Sequence, residues 1–239
     1  MTSQFGQDGS GEGGKSRSGD FHPPAAGMIR KALTDACIPL VRIIGHPGSG
    51  KTELIEASLN HMAAPQRVAV IVINPASARD AQRLGKSCRC VAHIDAAVPT
   101  SSSVWSIIRD LKLEEFDMIL IETAGGLAPL QDLGQDATVA VFAVSGGDDK
   151  AAEYHTLLNA ASAVVLTKTD LRQLVKFDSQ VFRNDLQSIN PSAEVHELSA
   201  KTESGIGEWL AWLERVRLDK RRKHERIDPD RASSNTFFG

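Results

Sequence analysis

Residues 45–52 carry the chemistry of a phosphate-binding loop. They read Gly-His-Pro-Gly-Ser-Gly-Lys-Thr and directly follow the apolar run 39–44. Glycines let the backbone wrap around a phosphate with its N–H groups pointing inward, and a helix start adds a positive dipole end. Lys51 is expected to reach the β- and γ-phosphates, and Thr52 to offer its hydroxyl to Mg²⁺. The alternative is an ordinary Gly-rich turn, which the strand–loop–helix context disfavours. The predicted nucleotide contacts in this loop are Gly45, Pro47, Gly48, Ser49, Gly50, Lys51 and Thr52.

An acidic residue follows a later apolar run at the place where P-loop proteins support their metal ion. Glu122 ends the run 118–122, and Gly125 comes three residues later. A carboxylate there holds Mg²⁺ or its bound water, and a nearby glycine N–H senses the γ-phosphate. Taken alone, this pattern fits a solvated loop glutamate equally well. Because residues 45–52 form a complete phosphate-binding (Walker) loop, a functional role for Glu122 is favoured. Lys51, Thr52 and Glu122 are therefore the predicted catalytic residues, with Thr52 and Glu122 on Mg²⁺.

Two downstream motifs indicate which base is bound. Residues 167–170 read Thr-Lys-Thr-Asp and resemble the Asn-Lys-x-Asp guanine motif, with Thr167 in place of the usual Asn. The Asp170 carboxylate can accept from both N1–H and the exocyclic amine of guanine, a donor pair that adenine lacks. Residues 199–201 read Ser-Ala-Lys and resemble the loop that closes a guanine pocket. Together, the two motifs favour GTP as the bound nucleotide. An ATP-using enzyme such as a small kinase is a much less favoured alternative. The predicted base contacts are Lys168, Asp170, Ser199, Ala200 and Lys201.

Over about residues 38–215 the chain resembles the hydrogenase nickel-incorporation GTPases and their urease-accessory relatives (HypB/UreG), of the SIMIBI class. Besides the phosphate loop, the resemblance rests on segments 79–84, 122–127, 147–150 and 198–213. Gly-Asp-Asp-Lys at 147–150 and the Trp-x-x-Trp within 198–213 single out this family among GTPases. The resemblance implies a GTP-dependent homodimer in which Lys150 lies near the nucleotide of the other copy. It also implies nickel delivery to a metalloenzyme or to another accessory protein.

The chain departs from this family at two places. The family's Cys-His metal pair is replaced by Pro-Thr-Ser-Ser at 99–102, and its acidic pair after the second strand by Val-Ile-Asn-Pro at 72–75. Hydroxyls are poor ligands for Ni²⁺ or Zn²⁺ beside thiolate and imidazole, so nickel or zinc binding is doubtful. Asn74 is neutral and cannot act as a base, so hydrolysis is expected to be slow. These departures motivate an alternative function, a nucleotide-gated regulatory or scaffold module that has lost metal handling.

Cys88, Cys90 and His93 are the remaining candidates for a transition-metal site. They run into a strand predicted to be buried, in which alternation puts both cysteines on one face and the histidine on the other. Buried cysteine commonly acts as a small hydrophobe. We therefore favour the interpretation that these cysteines pack as small apolar side chains, and we assign no nickel or zinc site.

The elements that must position these motifs alternate between strand-like and helical patterns. This alternation predicts an α/β protein with a mostly parallel central sheet, helices on both faces and a P-loop NTPase fold. Each motif follows a predicted strand, and ligands in such sheets bind at the carboxyl ends of strands. The predicted strands are 39–44, 67–73, 90–94, 118–122, 139–144, 163–167 and 194–198. The predicted helices are 28–36, 52–62, 78–84, 102–111 (capped by Ser102 or Ser103), 177–188 and 205–222.

Bulk composition excludes several classes of protein. The 239 residues carry a formal net charge of −3 and contain three cysteines. There is no basic excess for nucleic acid, no apolar run for a membrane, and no disulfide framework, so a cytoplasmic protein is expected. We predict a flexible Gly/Ser-rich tail at 1–27, a GTPase domain at 28–218 and a charged, polar tail at 219–239. The basic run at 220–223 is interpreted as the favourable end of a helix.

Overall fold

In the computed structural model, seven strands form one sheet; residues 24–73, 84–85, 90–95, 100–124, 130–147 and 153–227 are described. The strands are β1 (Leu40–Gly45), β2 (Val68–Ile73), β3 (Cys90–Ile94), β4 (Met118–Ala124), β5 (Ala137–Ala143), β6 (Ala163–Thr167) and β7 (Glu194–Glu197). Their order across the sheet is β3-β2-β4-β1-β5-β6-β7, and every pairing between them is parallel. This arrangement confirms the predicted α/β class.

Helices cover both faces of the sheet, as predicted. They are α1 (Ala25–Asp35), α2 (Lys51–His61), α3 (Ser101–Ile108), α4 (His155–Asn159), α5 (Ser179–Ile189) and α6 (Ile206–Ile227). Helices α2 and α6 pack on one face, and α1, α3, α4 and α5 pack on the other. Successive strand residues point to opposite faces, so Ile43 of β1 packs with α2 and α6 while Ile44 packs with α4 and α5.

Burial along the strands follows their place in the sheet. All six residues of β1 and all six of β2 are buried, as expected for parallel strands covered on both faces. Strand β3 has the predicted bounds, but the prediction that it is buried was wrong. It lies at the edge of the sheet, where His93 is exposed and Val91 and Ala92 are half-buried. An edge strand has a neighbour on one side only, so less of its surface is covered.

Helix α3 begins one residue earlier than predicted, and its cap is Thr100 rather than Ser102 or Ser103. Thr100 Oγ1 accepts from the N–H of Ser103 at 3.1 Å, and Ser103 Oγ accepts from the N–H of Thr100 at 3.2 Å. This reciprocal pair is a capping box, which satisfies two backbone donors at once.

Helix α6 continues to Ile227, past both its predicted end at 222 and the predicted domain boundary at 218. The basic run at 220–223 therefore lies inside the helix, not at its end. Lys220 is buried, and its Nζ donates to Asp136 Oδ1 at 2.8 Å. Asp136 Oδ2 accepts from the N–H of Leu40 at 2.9 Å, so this carboxylate ties the helix to the start of β1.

The five-residue helix α4 was not predicted. The helix predicted at 78–84 lies outside the described residues apart from Leu84, which is helical and buried. In the described part of the chain, none of the helices combines the length and the apolar character that crossing a bilayer requires.

Candidate functional site

The phosphate loop connects β1 directly to α2 and is shaped by its glycines. A Cβ at Gly45, the last residue of β1, would overlap the carbonyl oxygen of Val141 in the neighbouring strand. Gly50 caps α2 with a φ of 88°, a left-handed conformation that side chains rarely adopt. A Cβ there would also lie 3.1 Å from Thr167 Oγ1. Both positions therefore require glycine.

Lys51 is folded over the loop that it follows. The residue is buried, and its Nζ donates to the carbonyl oxygens of Gly45 at 2.9 Å and His46 at 3.1 Å. The ammonium group therefore already lies over the backbone that a phosphate would approach.

The predicted metal-side residues lie together. The Thr52 hydroxyl donates to Glu122 Oε1 at 2.7 Å, and only 7% of Glu122 is exposed. The parallel register of β1 and β4 pairs Ile43 with Glu122, which brings this carboxylate to the start of the loop. A hydroxyl and a carboxylate are ligands that suit Mg²⁺.

Thr167 and Lys168 join the base motif to the phosphate loop. The buried Thr167 hydroxyl lies 2.6 Å from the carbonyl oxygen of Ser49, to which it donates, and 3.2 Å from that of Phe142. A hydroxyl therefore bonds to the backbone at the position where the related motif has Asn. Lys168 has a φ of 59°, and its Nζ donates to the carbonyl oxygen of Gly48 at 2.8 Å.

The two guanine-type motifs also meet. Ser199 is fully buried, and its Oγ donates to Asp170 Oδ1 at 2.7 Å. The N–H of Thr202 donates in turn to Ser199 Oγ at 3.3 Å. A cavity of about 590 Å³ opens beside this pair. Its lining includes Gly50, Thr167, Lys168, Asp170, Ser199, Ala200 and Lys201.

Four residues of the phosphate loop line a different cavity. This space of about 300 Å³ is bounded by His46, Pro47, Gly48 and Ser49, and also by Tyr154. The Ser49 hydroxyl is buried and has no hydrogen-bond partner among the described residues. The loop thus lies between two cavities, one beside the base motifs and one beside the end of β5.

Several predicted residues cannot be placed. Gly125, Lys150, Asn74 and Cys88 lie outside the described residues, as does the side chain of Cys90. His93 is exposed on β3. Within the described ranges, no three His, Cys, Asp or Glu side chains come together as a metal site would require.

Sequence reasoning missed Arg42, which lies in the middle of β1. The residue is 4% exposed, and burial lowers the pKa of its guanidinium to about 10. Its Nε donates to Thr123 Oγ1 at 3.3 Å and its Nη1 to the carbonyl oxygen of Gln131 at 2.9 Å. Arg42 therefore bonds to β4 at Thr123, next to Glu122, on the face of the sheet opposite to the Glu122 side chain. The signal was a charged residue inside an otherwise apolar run.

Comparison with known proteins gives a consistent set of relatives. The model of the family described as CobW/HypB/UreG, nucleotide-binding domain, matches residues 39–197. Hydrogenase maturation factor HypB of Azotobacter vinelandii is 32% identical over 212 residues, which cover 83% of this chain and 66% of that protein. Probable hydrogenase maturation factor HypB of Methanocaldococcus jannaschii is 31% identical over 78% of this chain and 86% of its own length. This chain spans about two thirds of the length of the Azotobacter relatives that it matches.

Solved structures of similar fold bear related names. HypB from Archaeoglobus fulgidus has a TM-score of 0.74 at 26% identity, covering 81% of this chain and 97% of that one. HypB from Helicobacter pylori in complex with nickel has a TM-score of 0.75 at 25% identity, covering 84% and 95%.

Proposed function

This chain belongs to the CobW/HypB/UreG family of nucleotide-binding domains, and from that premise we propose that it is a GTPase resembling the nickel-insertion factors of hydrogenase maturation. It acts as a dimer switch that depends on GTP and Mg²⁺. The observation that carries the proposal is the contact between Asp170 and Ser199 at 2.7 Å, which joins two guanine-type motifs beside a Walker loop.

Guanine is the base that suits this arrangement. One oxygen of the Asp170 carboxylate accepts from Ser199, which fixes the orientation of the group. A fixed carboxylate can accept from both N1–H and the exocyclic amine of guanine, whereas adenine presents no such pair of donors. The stem of Lys168, whose Nζ donates to the carbonyl oxygen of Gly48, would cover the ring.

Phosphate binding falls to the loop and to Lys51. The lysine would exchange the carbonyls of Gly45 and His46 for charged phosphate oxygens, which form stronger hydrogen bonds. Thr52 and Glu122 would hold Mg²⁺, since their oxygens converge beside the loop. When bound, the ion neutralises charge that develops on the β- and γ-phosphates.

The finer features of the switch are part of the same proposal and follow from the sequence. Hydrolysis is slow because Asn74 is neutral where the family has an acidic residue, and it depends on Glu122 beside the metal ion. Gly125 senses the γ-phosphate, and Lys150 lies near the nucleotide of the second copy. The client is a metalloenzyme or another accessory protein, and the location is cytoplasmic.

A second candidate function is a nucleotide-gated regulatory or scaffold module that handles no metal. The observation that favours it lies at Thr100, where the family has its Cys-His pair. The Thr100 hydroxyl accepts from the N–H of Ser103 and caps α3. A hydroxyl engaged in this way is a poor ligand for nickel or zinc.

Nucleotide competition tests the proposed base. Displacement of a fluorescent GDP analogue from the full chain should need roughly a hundredfold less GTP than ATP, because ATP leaves the Asp170 carboxylate unpaired. In the Asp170→Asn variant, affinity should move from GTP towards XTP, since xanthine has a carbonyl where guanine has its amine. Equal displacement by ATP and GTP would contradict the proposal.

Nickel titration separates the two candidate functions. Equilibrium dialysis of the GTP-loaded chain measures the stoichiometry of bound Ni²⁺, and Cys88→Ser/Cys90→Ser is the matched variant. Tight binding that the double substitution removes favours the nickel-handling protein. Only weak binding, unchanged by the substitution, favours the regulatory module.

A further inference from the structure

Glu197, the last residue of β7, is held by two arginines from different elements. Arg172 Nη2 donates to Glu197 Oε2 at 2.6 Å, and Arg183 Nη2 donates to Glu197 Oε1 at 2.7 Å. Each carboxylate oxygen therefore has its own guanidinium. The Glu197 side chain is 23% exposed, which shields these ion pairs from water better than typical surface pairs.

The ionisation of Glu197 reflects both partners. Burial by itself raises the pKa of this carboxyl group, but hydrogen bonds and charges from Arg172 and Arg183 outweigh burial. Its pKa therefore lies below the ordinary value, and the carboxylate keeps its charge at neutral pH.

Arg172 is fixed to the turn that carries the base motif. Thr169–Leu171 form a 3-10 turn, in which the N–H of Leu171 donates to Lys168 O at 2.9 Å. The N–H of Arg172 donates to Thr169 O at 3.1 Å. The backbone of Arg172 is thus hydrogen-bonded to the turn that contains Asp170, two residues before it.

Glu197 is fixed in the same way to the loop that closes the base cavity. Ser199 comes two residues later, and its N–H donates to Ser204 O at 3.0 Å. Gly205 follows, and a Cβ there would overlap the carbonyl oxygen of Glu197. The loop therefore packs on the backbone of Glu197 itself.

The two sides of the base cavity are thus joined at several points. The N–H of Thr169 donates to Leu198 O at 3.3 Å. Asp170 and Ser199 contact each other directly, and Arg172 and Glu197 form an ion pair just outside them. Arg183 adds a bond to the same carboxylate, but it comes from helix α5, which carries none of the base motif. Of the two ion pairs at Glu197, that of Arg172 links one base-reading loop to the other, whereas that of Arg183 does not.

We propose that Arg172 is a positioning residue for guanine selection, whose ion pair with Glu197 holds the turn of Asp170 against the loop of Ser199. The inference rests on the proposed function and deepens it. A carboxylate bonds both guanine donors only when its plane is aligned with the edge of the base. With the outer ion pair gone, Asp170 keeps one of these bonds and loses the alignment needed for the second.

Hypoxanthine supplies the probe for that second bond, because it has guanine's N1–H but no exocyclic amine. IDP therefore reports what the amine contributes, and diphosphates avoid turnover during the measurement. In the unmodified chain, GDP should bind about tenfold tighter than IDP, as expected for one charge-assisted hydrogen bond. In Arg172→Met this ratio should fall by about threefold or more, because the amine is no longer well aligned.

Arg183→Met is the matched control, since it removes an ion pair of nearly the same length from the same carboxylate. Its ratio of GDP to IDP affinity should equal that of the unmodified chain. Arg172→Lys keeps a donor and should restore most of the ratio. Thermal unfolding and circular dichroism check that each variant is folded. If Arg172→Met does not fold, Arg172→Gln and Glu197→Gln take its place.

The outcomes are distinct. Equal weakening of GDP and IDP in Arg172→Met, or an equal change of ratio in Arg183→Met, would show a merely structural ion pair and overturn the inference. ADP bound as tightly as GDP by the unmodified chain would instead contradict the proposed function. A preference for GDP over ADP with an unmoved ratio in Arg172→Met overturns the positioning role alone.

Discussion

The hydroxyl of Thr52 donates a hydrogen bond of 2.7 Å to the carboxylate of Glu122, although the two residues are 70 positions apart in the chain. The bond joins the first turn of α2 to β4 at the edge of the phosphate loop. The bond holds the two side-chain oxygens close together.

Removing the Thr52 hydroxyl should lower metal-dependent GTP turnover and leave metal-independent nucleotide binding nearly unchanged. In Thr52→Val, GTP turnover should fall by about a hundredfold, because one oxygen ligand and the anchor of Glu122 are lost together. The affinity for GDP in EDTA should change by less than about threefold, since the loop backbone and Lys51 supply it. Steady-state phosphate release and GDP titration measure the two effects.

Thr52→Ser is the control for this prediction, since it keeps the hydroxyl and should retain most of the turnover. Turnover that survives in Thr52→Val would show that this hydroxyl is not needed at the metal.

The hydroxyl group of Thr167 should contribute to the stability of the folded chain. It is buried and lies within hydrogen-bond distance of the carbonyl oxygens of Ser49 and Phe142. Thr167→Val keeps the shape but leaves the Ser49 carbonyl without its donor, so the free energy of unfolding should fall by about 1–3 kcal/mol. Urea denaturation followed by tryptophan fluorescence measures it. Thr167→Ser keeps the hydroxyl and should lose only about 1 kcal/mol for the missing methyl. A larger loss in the serine variant would contradict this account.

His196 should make stability depend on pH. Its ring packs against the stacked rings of Trp209 and Trp212, with centroids 5.9 and 6.0 Å away. Burial lowers the pKa of His196 below its ordinary value of 6.5, so the unfolded chain binds this proton more readily than the folded chain. The stability that the neutral ring contributes is therefore full above about pH 6.5 and is lost as the pH falls below it.

Urea denaturation at pH 7.5 and 5.5 measures that loss, and His196→Gln should reduce the difference between the two values. His93→Gln, on the exposed edge strand, is the control and should leave the difference unchanged. Equal pH dependence in the original chain and in His196→Gln would show that the acid sensitivity arises elsewhere.

Two glycines, two positions apart, should respond in opposite directions to alanine. Gly205 has a φ of 77°, and a Cβ there would overlap the Glu197 carbonyl. Gly205→Ala should lower the free energy of unfolding by more than about 1 kcal/mol. Gly207 lies in α6 with open space around it, so Gly207→Ala should raise it by about 0.5–1 kcal/mol through the reduced freedom of the unfolded chain. A loss in both variants would contradict this distinction.

The strands were the most predictable part of the fold. Apolar, β-branched runs such as 163–167 have no solvent-facing side, and β6 has those bounds. The missed features depend on contacts between distant residues. The basic run at 220–223 did not show that Lys220 is buried against Asp136. The sequence of β3 did not show that this strand lies at an edge of the sheet, where it is partly exposed.

In the candidate site, too, local motifs could be recognised in the sequence and contacts between distant residues could not. Thr52, Glu122, Asp170 and Ser199 could be proposed from the sequence because each belongs to a short motif at the end of a predicted strand. The structure pairs Thr52 with Glu122 and Asp170 with Ser199, each at 2.7 Å. The pairing of Arg172 with Glu197 was not found, because the two are separated by 25 residues without a local pattern. Side chains that orient the contact residues leave little trace in a single sequence.

The bonds from Thr167 to Ser49 and from Lys168 to Gly48 have a consequence for the thermodynamics of binding. They tie the phosphate loop to the residues that follow β6, so the loop would lose little conformational entropy on binding the proposed nucleotide. Preorganisation of this kind raises affinity without any additional contact to the ligand. Loosening either bond would therefore increase the entropic penalty of association at the phosphate end, although neither side chain belongs to the loop itself.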